Sequence, residues 1–225
     1  MAKRKTGHML KALLVRASAL LQALFFPAHE KTHAWRRIAP ARLHALYAPR
    51  QHARHPWIMV LYPYRAPEVR ALMWALKFRG ARGACASFFP PLVAVPPPLI
   101  TPPEDKTPVL LIPVPLCPAR LRTRGFNQSA LLAHALHRAL PEMHWTVRED
   151  LLTRKHSGPP QSRLPRMQRM HNVSGAFHVR HAEALAGAHV IVVDDIATTG
   201  ATLREARRAL LAAGARSVHA LAFAG

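Results

Sequence analysis

The strongest structural constraint in this sequence is a run of apolar β-branched residues, 190–193, that ends directly in two acids. A short run of this kind, with no polar residue on either face, is typical of a buried strand in a parallel sheet. The acids are Asp194 and Asp195, followed by a turn rich in threonine and glycine over residues 197–202. Apolar residues then recur at helical spacing over 203–211. The segment therefore predicts a strand, a turn and a helix in immediate succession.

Similar strand and helix patterns alternate through the preceding part of the chain and after this segment. The patterns predict two further helices and two further strands, over residues 66–79, 132–140, 109–115 and 218–223 respectively. Such alternation favours an α/β fold with a mostly parallel central sheet flanked by helices. We expect this domain over residues 61–225, preceded by a small N-terminal lobe, helical or irregular, over residues 1–60.

The turn after the two acids has the composition of a phosphate-binding loop. A helix N-terminus offers unpaired N–H groups and a partial positive charge, and a glycine lets the backbone come close to an anion. Ionised carboxylates accept hydrogen bonds, which suits the vicinal hydroxyls of a sugar. Acids beside a phosphate loop therefore indicate a phosphorylated sugar rather than phosphate alone. The predicted site comprises Asp194, Asp195, Ala197, Thr198, Thr199, Gly200, Ala201 and Thr202.

The segments outside this pattern predict less regular structure. Residues 9–26 are apolar but are interrupted by Lys11 and Arg16, which indicates an amphipathic helix, whereas a membrane span needs about 20 largely uncharged residues. We expect short helices and loops from there to residue 60. Residues 90–108 are dense in proline and predict an extended linker, and residues 153–172 predict a long mobile loop.

Metal-binding patterns are weak in this sequence. The two cysteines, Cys85 and Cys117, provide neither a disulfide framework nor a four-thiolate zinc site, which favours a cytoplasmic protein. Residues 29–33, His-Glu-Lys-Thr-His, match a zinc-protease spacing, but no third ligand is evident. With 15 histidines in the chain, we interpret this match as solvated histidines and assign no metal ligand to the protein.

The charge of the chain leaves two interpretations open. Its formal net charge is +21, from 32 lysines and arginines against 11 acids, so it should attract polyanions such as nucleic acid. An arginine- and alanine-rich composition is equally typical of a protein from a GC-rich genome. The four tryptophans could stack the bases of single-stranded DNA, although we expect them to pack in the core.

The motif over residues 190–202 resembles the site for 5-phosphoribosyl-1-pyrophosphate (PRPP) in type I phosphoribosyltransferases. Residues 60–225 also resemble, in order along the chain, the ComF family of competence-associated, phosphoribosyltransferase-like proteins. The residues that carry this second resemblance are Tyr62, Tyr64, Lys77-Phe78-Arg79-Gly80, Val114-Pro115-Leu116, Arg124-Gly125-Phe126-Asn127-Gln128, Arg154, Gln161, Arg169, Asn172-Val173 and Gly175-Ala176-Phe177. The family usually has a four-cysteine zinc knuckle near its N-terminus, and this chain lacks those cysteines.

The resemblance implies PRPP binding together with Mg²⁺, in a protein that acts in competence, DNA uptake and transformation, with competence proteins as partners. It places the 5′-phosphate on the loop over residues 198–202 and the two acids at the sugar. The pyrophosphate then needs a second set of donors, for which arginine is suited. The candidates are Arg120, Arg122 and Arg124 in the loop after the strand over 109–115, and Arg154, Arg163, Arg166 and Arg169 in a lid over 154–172.

Two alternatives to a transferase of this kind stay open at this point. One is a PRPP or nucleotide sensor, without catalysis, whose basic surface binds single-stranded DNA. The other is a salvage phosphoribosyltransferase for a purine or pyrimidine base.

Overall fold

The structure is a computed structural model, and it describes residues 43, 45–79, 107, 109–154 and 175–225. Several predicted features lie outside the described residues: the helix over 9–26, the pattern at 29–33, nearly all of the proline-dense stretch, and Arg163, Arg166 and Arg169.

The described strands form one six-stranded sheet and one separate antiparallel pair. In chain order they are β1 (Arg50–His52), β2 (His55–Tyr62), β3 (Val109–Pro113), β4 (Thr146–Val147), β5 (Leu152–Arg154), β6 (Phe177–Val179), β7 (His189–Ile196) and β8 (Ser217–Ala224). The large sheet has the order β1-β2-β8-β7-β3-β4, and every neighbouring pair in it is parallel except β1 with β2. Strands β5 and β6 make the separate pair.

Within the described ranges, four α-helices with defined bounds connect and cover these strands. They are α1 (Pro67–Arg79), α2 (Pro118–Arg124), α3 (Gln128–Ala139) and α4 (Ala201–Ala212), with short 3₁₀ turns at Pro141–Met143 and Ala182–Leu185. The prediction of a mostly parallel sheet flanked by helices is confirmed. Among the described residues, no helix combines the length and the apolar character needed to cross a membrane.

The central strands of the large sheet are buried on both faces, which explains the unbroken apolar run in β7. Ile191 and Val193 belong to the core cluster that α1 and α3 cover, through side chains such as Leu76 and Leu136. Val190 and Val192 belong to the opposite cluster, which α4 and the β5–β6 pair cover. Since successive side chains of a strand point to opposite faces, every residue of the run must be apolar.

Three expectations about loops were wrong. The arginine-rich segment after β3 is a helix, α2, and not a loop; Pro118 occupies its first turn and Gly125, at φ +81°, ends it. This helix buries none of its residues, so it carries no apolar periodicity to find. The first residues of the predicted mobile loop, 153 and 154, belong to β5.

The third wrong expectation concerns the residues before position 60. Residues 50–52 and 55–62, which we expected to be irregular, form β1 and β2, and β2 pairs with β8 inside the main sheet. The boundary predicted between residues 60 and 61 therefore falls within a strand. The apolar run from Trp57 to Tyr62 is the signal for this strand, and Pro56 and the surrounding histidines obscured it.

Truncating a core side chain of β8 should destabilise the whole sheet. Phe223 is fully buried between β2 and β7, so we expect Phe223→Ala to lower the free energy of unfolding by about 3–5 kcal/mol. Urea denaturation followed by circular dichroism measures this change. Leu46→Ala is the control, since Leu46 is 55% exposed and its truncation should change stability by no more than about 0.5 kcal/mol. Equal losses in the two variants would contradict the placement of β8 at the centre of the fold.

Candidate functional site

The two acids of the sequence motif lie at the carboxyl end of β7, where this strand has passed the end of its neighbour β3. Pairing with β3 ends at Val193, while pairing with β8 continues to Ile196. The N–H of Val114 donates to the carbonyl of Val193 at 2.9 Å and closes the end of β3. In open α/β sheets ligands bind at the carboxyl ends of the strands, and Asp194 and Asp195 lie at this edge.

Asp194 is a buried carboxylate whose hydrogen bonds are made within the protein. Its Oδ1 accepts from the hydroxyl of Ser129 at 3.1 Å and from the backbone N–H of Asp195 at 2.8 Å. Burial, reinforced by the adjacent charge of Asp195, raises the pKa of Asp194, and these two hydrogen bonds oppose the rise. Asp194 thus links the end of β7 to the start of α3.

Asp195 is the centre of a chain of polar side chains. Its Oδ2 lies 3.0 Å from the ammonium of Lys77, near the end of α1, and 3.3 Å from the side-chain nitrogen of Gln128. The side-chain oxygen of Gln128 in turn accepts from the guanidinium of Arg124. The Lys77 side chain is only 26% exposed and that of Asp195 only 10%, so this ion pair is less screened by water than a surface pair.

The start of α3 supplies three consecutive polar residues to this region. Asn127 caps the helix by accepting from the N–H of Ser129 at 3.1 Å, and its amide nitrogen donates to the carbonyl of Val114 at 3.1 Å. The next two residues, Gln128 and Ser129, hold the two acids. Sequence reasoning noted Asn127 and Gln128 as part of a family signature but assigned neither to the site. The available signal was three polar side chains in succession at a helix start.

Of the arginines in α2, Arg124 is the one that faces the acids. Arg124 is half-buried; burial lowers its pKa, the charge of Asp195 opposes this, and the nearby charge of Arg120 adds to it. Arg120 and Arg122 are exposed on the same short helix. The charges of Arg124 and Asp195 therefore act on each other, and the charge of Arg120 also acts on Arg124.

Arg154 lies apart from this group, in the β5–β6 pair. Its guanidinium carbon lies 5.5 Å from the centre of the Phe177 ring, which is its register partner in β6. The two other predicted lid arginines in the site set, Arg163 and Arg169, lie outside the described residues.

The threonine-containing turn leaves β7 and enters α4 directly. Ala197 is buried, and its N–H donates to the carbonyl of Ala224 at 2.8 Å, which holds the start of the turn on β8. Thr198 and Thr199 are exposed, and Gly200 is buried at φ +72°. A glycine suits this left-handed conformation, since other residues adopt it at a cost of about 1–2 kcal/mol.

The N-terminus of α4 follows at Ala201 and Thr202, both partly exposed. Its first turn contains no acidic residue, and the N–H of Ala201 makes only a long hydrogen bond, 3.4 Å, to the hydroxyl of Thr199. The predicted loop residues therefore lie together in one segment, next to a helix N-terminus that can accept an anion.

Two histidines that were not predicted as site residues contact this turn from the β1–β2 hairpin. The Nε2 atom of His52 lies 3.1 Å from the carbonyl oxygen of Thr198, and His55 hydrogen-bonds to the backbone of Thr199. A Cβ placed on Gly200 would lie 2.5 Å from Cδ2 of His55. Sequence reasoning had interpreted the histidines of this stretch as part of an irregular lobe.

Glu205 of α4 is another buried acid that the sequence did not single out. Its carboxylate accepts from the N–H of Gly175 at 2.6 Å, and from Nη2 and Nε of Arg208 at 2.7 and 3.0 Å. The hydrogen bonds from Arg208, more than those from Gly175, lower the pKa of Glu205. This contact fixes the chain at Gly175, where it returns to β6.

The described part of the chain contains no cluster of three or more histidine, cysteine, aspartate or glutamate side chains that could hold a metal ion. The acids at the end of β7 are a pair, and one of them is already neutralised by Lys77. A metal at this edge would therefore need oxygen ligands from a bound molecule as well.

Comparison with protein families and curated proteins identifies the C-terminal part of the chain. Residues 127–225 match the model of the phosphoribosyl transferase domain. The DNA utilization protein YhgH of Escherichia coli K12 is 36% identical over 108 residues, which cover 48% of this chain and 45% of that protein. The competence protein ComFC of Bacillus subtilis 168 is 35% identical over 105 residues, which cover 47% and 39%. The matches thus span less than half the length of these curated relatives.

Two further similarities are more limited. An orotate phosphoribosyltransferase of Bartonella tribocorum is 43% identical over 63 residues, 28% of this chain and 30% of that enzyme. Among solved structures, a hypoxanthine-guanine phosphoribosyl transferase of L. donovani superposes with a TM-score of 0.34 at 15% identity, covering 68% of this chain and 71% of that one.

The domain match covers the start of α3, the two acids, the turn and α4, which are the elements that build the site. One of these relatives is named for competence, which the predicted resemblance implied, and the other for DNA utilization. These matches support the family resemblance predicted from the sequence: residues 127–225 match a phosphoribosyl transferase domain, and the chain is similar over about half its length to the YhgH and ComFC proteins.

Proposed function

We propose that this chain binds PRPP together with Mg²⁺ at the carboxyl edge of its sheet, as a phosphoribosyltransferase-type protein acting in competence and DNA uptake. One observation carries the proposal. The turn over residues 197–202, at the N-terminus of α4, continues directly from a strand end where Asp195 lies between Lys77 and Gln128. A donor-rich turn for a phosphate and an acceptor for sugar hydroxyls are therefore adjacent in the chain and fixed to the same strand.

The 5′-phosphate of PRPP belongs on the turn. The exposed Thr198 and Thr199, the backbone at Gly200 and the first N–H groups of α4 at Ala201 and Thr202 are all donors to an anion. Positive φ at Gly200 keeps this short turn compact enough to bring those donors together.

The two acids have different roles in this proposal. Asp194 is hydrogen-bonded to Ser129 and to the backbone of Asp195, and its role is to position Asp195. Asp195 has one oxygen engaged by Lys77 and Gln128, and faces the ribose hydroxyls. Its negative charge also suits the positive charge that develops on the sugar ring when phosphoribosyl transfer takes place.

The pyrophosphate belongs on the other side of Asp195, near the arginines of α2. Arg124 is half-buried and linked to Asp195 through Gln128, and Arg120 lies beside Arg124. Lys77 adds a third cation at the same acid. Arg154, Arg163 and Arg169 remain predicted contributors from the segment over residues 154–172.

The acids fit an Mg²⁺ ion that arrives with PRPP better than a resident one. Mg²⁺ is usually held by one or two carboxylates together with substrate phosphates, and Asp195 is the carboxylate that we place at the ligand, in a protein that holds no larger acidic cluster in its described part. When bound, Mg²⁺ neutralises charge on the pyrophosphate and makes it a better leaving group. The protein's own residues bind the two phosphate ends of the ligand and orient the ribose between them.

In the transfer itself, the bond between C1 of the ribose and the pyrophosphate oxygen breaks, a nucleophile bonds to C1, and pyrophosphate is released. The names of the relatives, DNA utilization protein and competence protein, support a place for this reaction in the use of incoming DNA. Single-stranded DNA and competence proteins are the partners that we propose on the same basis.

Removing the charge of Asp195 should weaken PRPP binding. We expect Asp195→Asn to lower the affinity for PRPP in the presence of Mg²⁺ by about 10- to 100-fold, because hydrogen bonds to a charged group are each worth about 1.5–3 kcal/mol. Isothermal titration calorimetry measures the affinity with and without Mg²⁺. Asp150→Asn is the matched control, since Asp150 is an exposed acid paired with Arg148 and should not affect binding. Undiminished affinity in the Asp195 variant would exclude its contact with the ribose.

The turn can be tested separately with two glycines that share a conformation. Gly200 and Gly187 have φ of +72° and +71°, so alanine at either position strains the backbone by a similar amount. A Cβ at Gly200 also meets His55, whereas one at Gly187 meets nothing within 4 Å. We expect Gly200→Ala to abolish binding of ribose 5-phosphate in calorimetry and Gly187→Ala to retain it. Loss of binding in both variants would mean that general destabilisation, and not the turn, is responsible.

The burial of Asp194 has a consequence for stability as a function of pH. Because its pKa is raised in the folded state, its contribution to stability is fully present below about pH 4, the ordinary aspartate range, and is lost as the pH rises through the folded-state pKa. Asparagine does not ionise, so the Asp194→Asn variant does not lose stability in this way. The free energy of unfolding of the variant minus that of the wild type should therefore increase from about pH 4 to about pH 7.5. Urea denaturation at several pH values measures the trend.

Asp150→Asn should show the opposite trend in the same experiment. The hydrogen bonds from Arg148 lower the pKa of Asp150, so its contribution is present above the ordinary aspartate pKa and is lost in acid. If the stability differences of the two variants followed the same trend with pH, Asp194 would not be a buried group whose charged form is disfavoured.

A further inference from the structure

We propose that His52 and His55 are positioning residues for the phosphate turn: they hold its backbone from Thr198 to Gly200 so that its N–H groups face the 5′-phosphate. This inference rests on the proposed function, because it assigns a role at the same turn. It concerns a hairpin, β1–β2, that lies outside the matched domain over residues 127–225.

The contacts involve two successive peptide groups of the turn. The Nε2 atom of His52 lies 3.1 Å from the carbonyl oxygen of Thr198, and His55 hydrogen-bonds to the backbone of Thr199. In a planar trans peptide, the C=O and the next N–H point in opposite directions. Turning the carbonyl of Thr198 toward the hairpin therefore turns the N–H of Thr199 away from it, toward the open side of the turn.

The hydrogen bonding of His52 fixes which ring nitrogen donates. The backbone N–H of Arg54, in the hairpin turn, donates to Nδ1 of His52 at 3.2 Å. In a neutral imidazole one nitrogen accepts and the other carries the proton, so Nε2 is the donor to Thr198. The hairpin thus orients the imidazole and selects its tautomer before any ligand binds.

His55 is held by packing on both sides. Its ring stacks on that of His52, with centroids 5.4 Å apart and planes 15° apart, and lies 5.7 Å from the ring of Trp57. On the other side it fills the space that a side chain at Gly200 would occupy. The missing Cβ of Gly200 therefore serves the close approach of an imidazole as well as the positive φ.

The neutral form of the imidazole is sufficient for this role. Burial, and then the charges of His52, Arg204 and Arg54, lower the pKa of His55, while its hydrogen bond to Thr199 opposes the shift. A neutral histidine still donates one N–H. The hairpin thus contributes by directing the backbone dipoles of the turn, and not by placing a positive charge next to the phosphate.

The test compares variants that keep a donor with variants that lose it. His52→Gln and His55→Gln retain a side-chain N–H of similar reach, whereas His52→Leu and His55→Leu remove it. Calorimetry with ribose 5-phosphate, PRPP and pyrophosphate measures which end of the ligand is affected, and thermal unfolding by circular dichroism checks that each variant is folded.

We expect each leucine variant to weaken ribose 5-phosphate and PRPP by about fivefold and the double variant by about 20-fold, in line with one ordinary hydrogen bond per histidine. The glutamine variants should retain most of the affinity. Pyrophosphate alone should bind all variants equally, because its donors lie in α2 and α1. A purely structural role would instead weaken all three ligands together and would not distinguish glutamine from leucine.

The outcomes separate this inference from the proposed function. Equal affinity of wild type and leucine variants for both sugar phosphates overturns the role of the histidines and leaves PRPP binding intact. Binding of ribose 5-phosphate but not of PRPP by the wild type overturns the proposed function, and the leucine and glutamine comparison still decides the inference. Failure of the wild type to bind any of the probes overturns both.

Discussion

The structure depends on how two adjacent carboxylates are accommodated at the end of a buried strand. Removing such groups from water costs free energy unless hydrogen bonds or opposite charges compensate. Asp194 receives hydrogen bonds from Ser129 and the backbone and shifts its pKa upward, while Asp195 pairs with Lys77. The partners come from α3 and α1, both of which cover the same face of the sheet. The acids therefore hold two helices and a strand end together, and the geometry of the site follows from this compensation.

The same contacts divide the edge of the sheet into two regions of different chemistry. On one side of Asp195, Gln128 connects it to Arg124, so cationic groups gather near the end of β3. On the other side, the turn is held by β8 through Ala197 and by the hairpin through His52. The PRPP that we propose as the ligand has a phosphate at each end and hydroxyls between them. The turn carries no charge of its own, so its affinity for an anion depends on how its peptide groups are directed.

The sequence predicted the parts of the fold and site that are local in the chain. The strand, the acids, the turn and α4 were predicted together because they form one contiguous segment with its own apolar pattern. Lys77, Gln128 and His52 could not be assigned, since their contacts join residues far apart in sequence, 67 positions in one hydrogen bond and 146 in another. The helix α2 was missed because a helix of seven residues that buries none of them has no apolar stripe. The strands before residue 60 were missed because a proline and several histidines surround their apolar run.

The position of β8 in the sheet has a consequence for how the chain acquires its structure during synthesis. This strand lies between β2 and β7, yet it follows every other described strand in the sequence. The ribosome therefore releases the hairpin β1–β2 long before the strand that joins it to the rest of the sheet exists. Until then β2 has an open edge and unburied apolar side chains, a state that favours aggregation or chaperone binding. The contacts between the hairpin histidines and the phosphate turn can form only after this late strand has been inserted. The turn therefore reaches its final arrangement only when the sheet is complete.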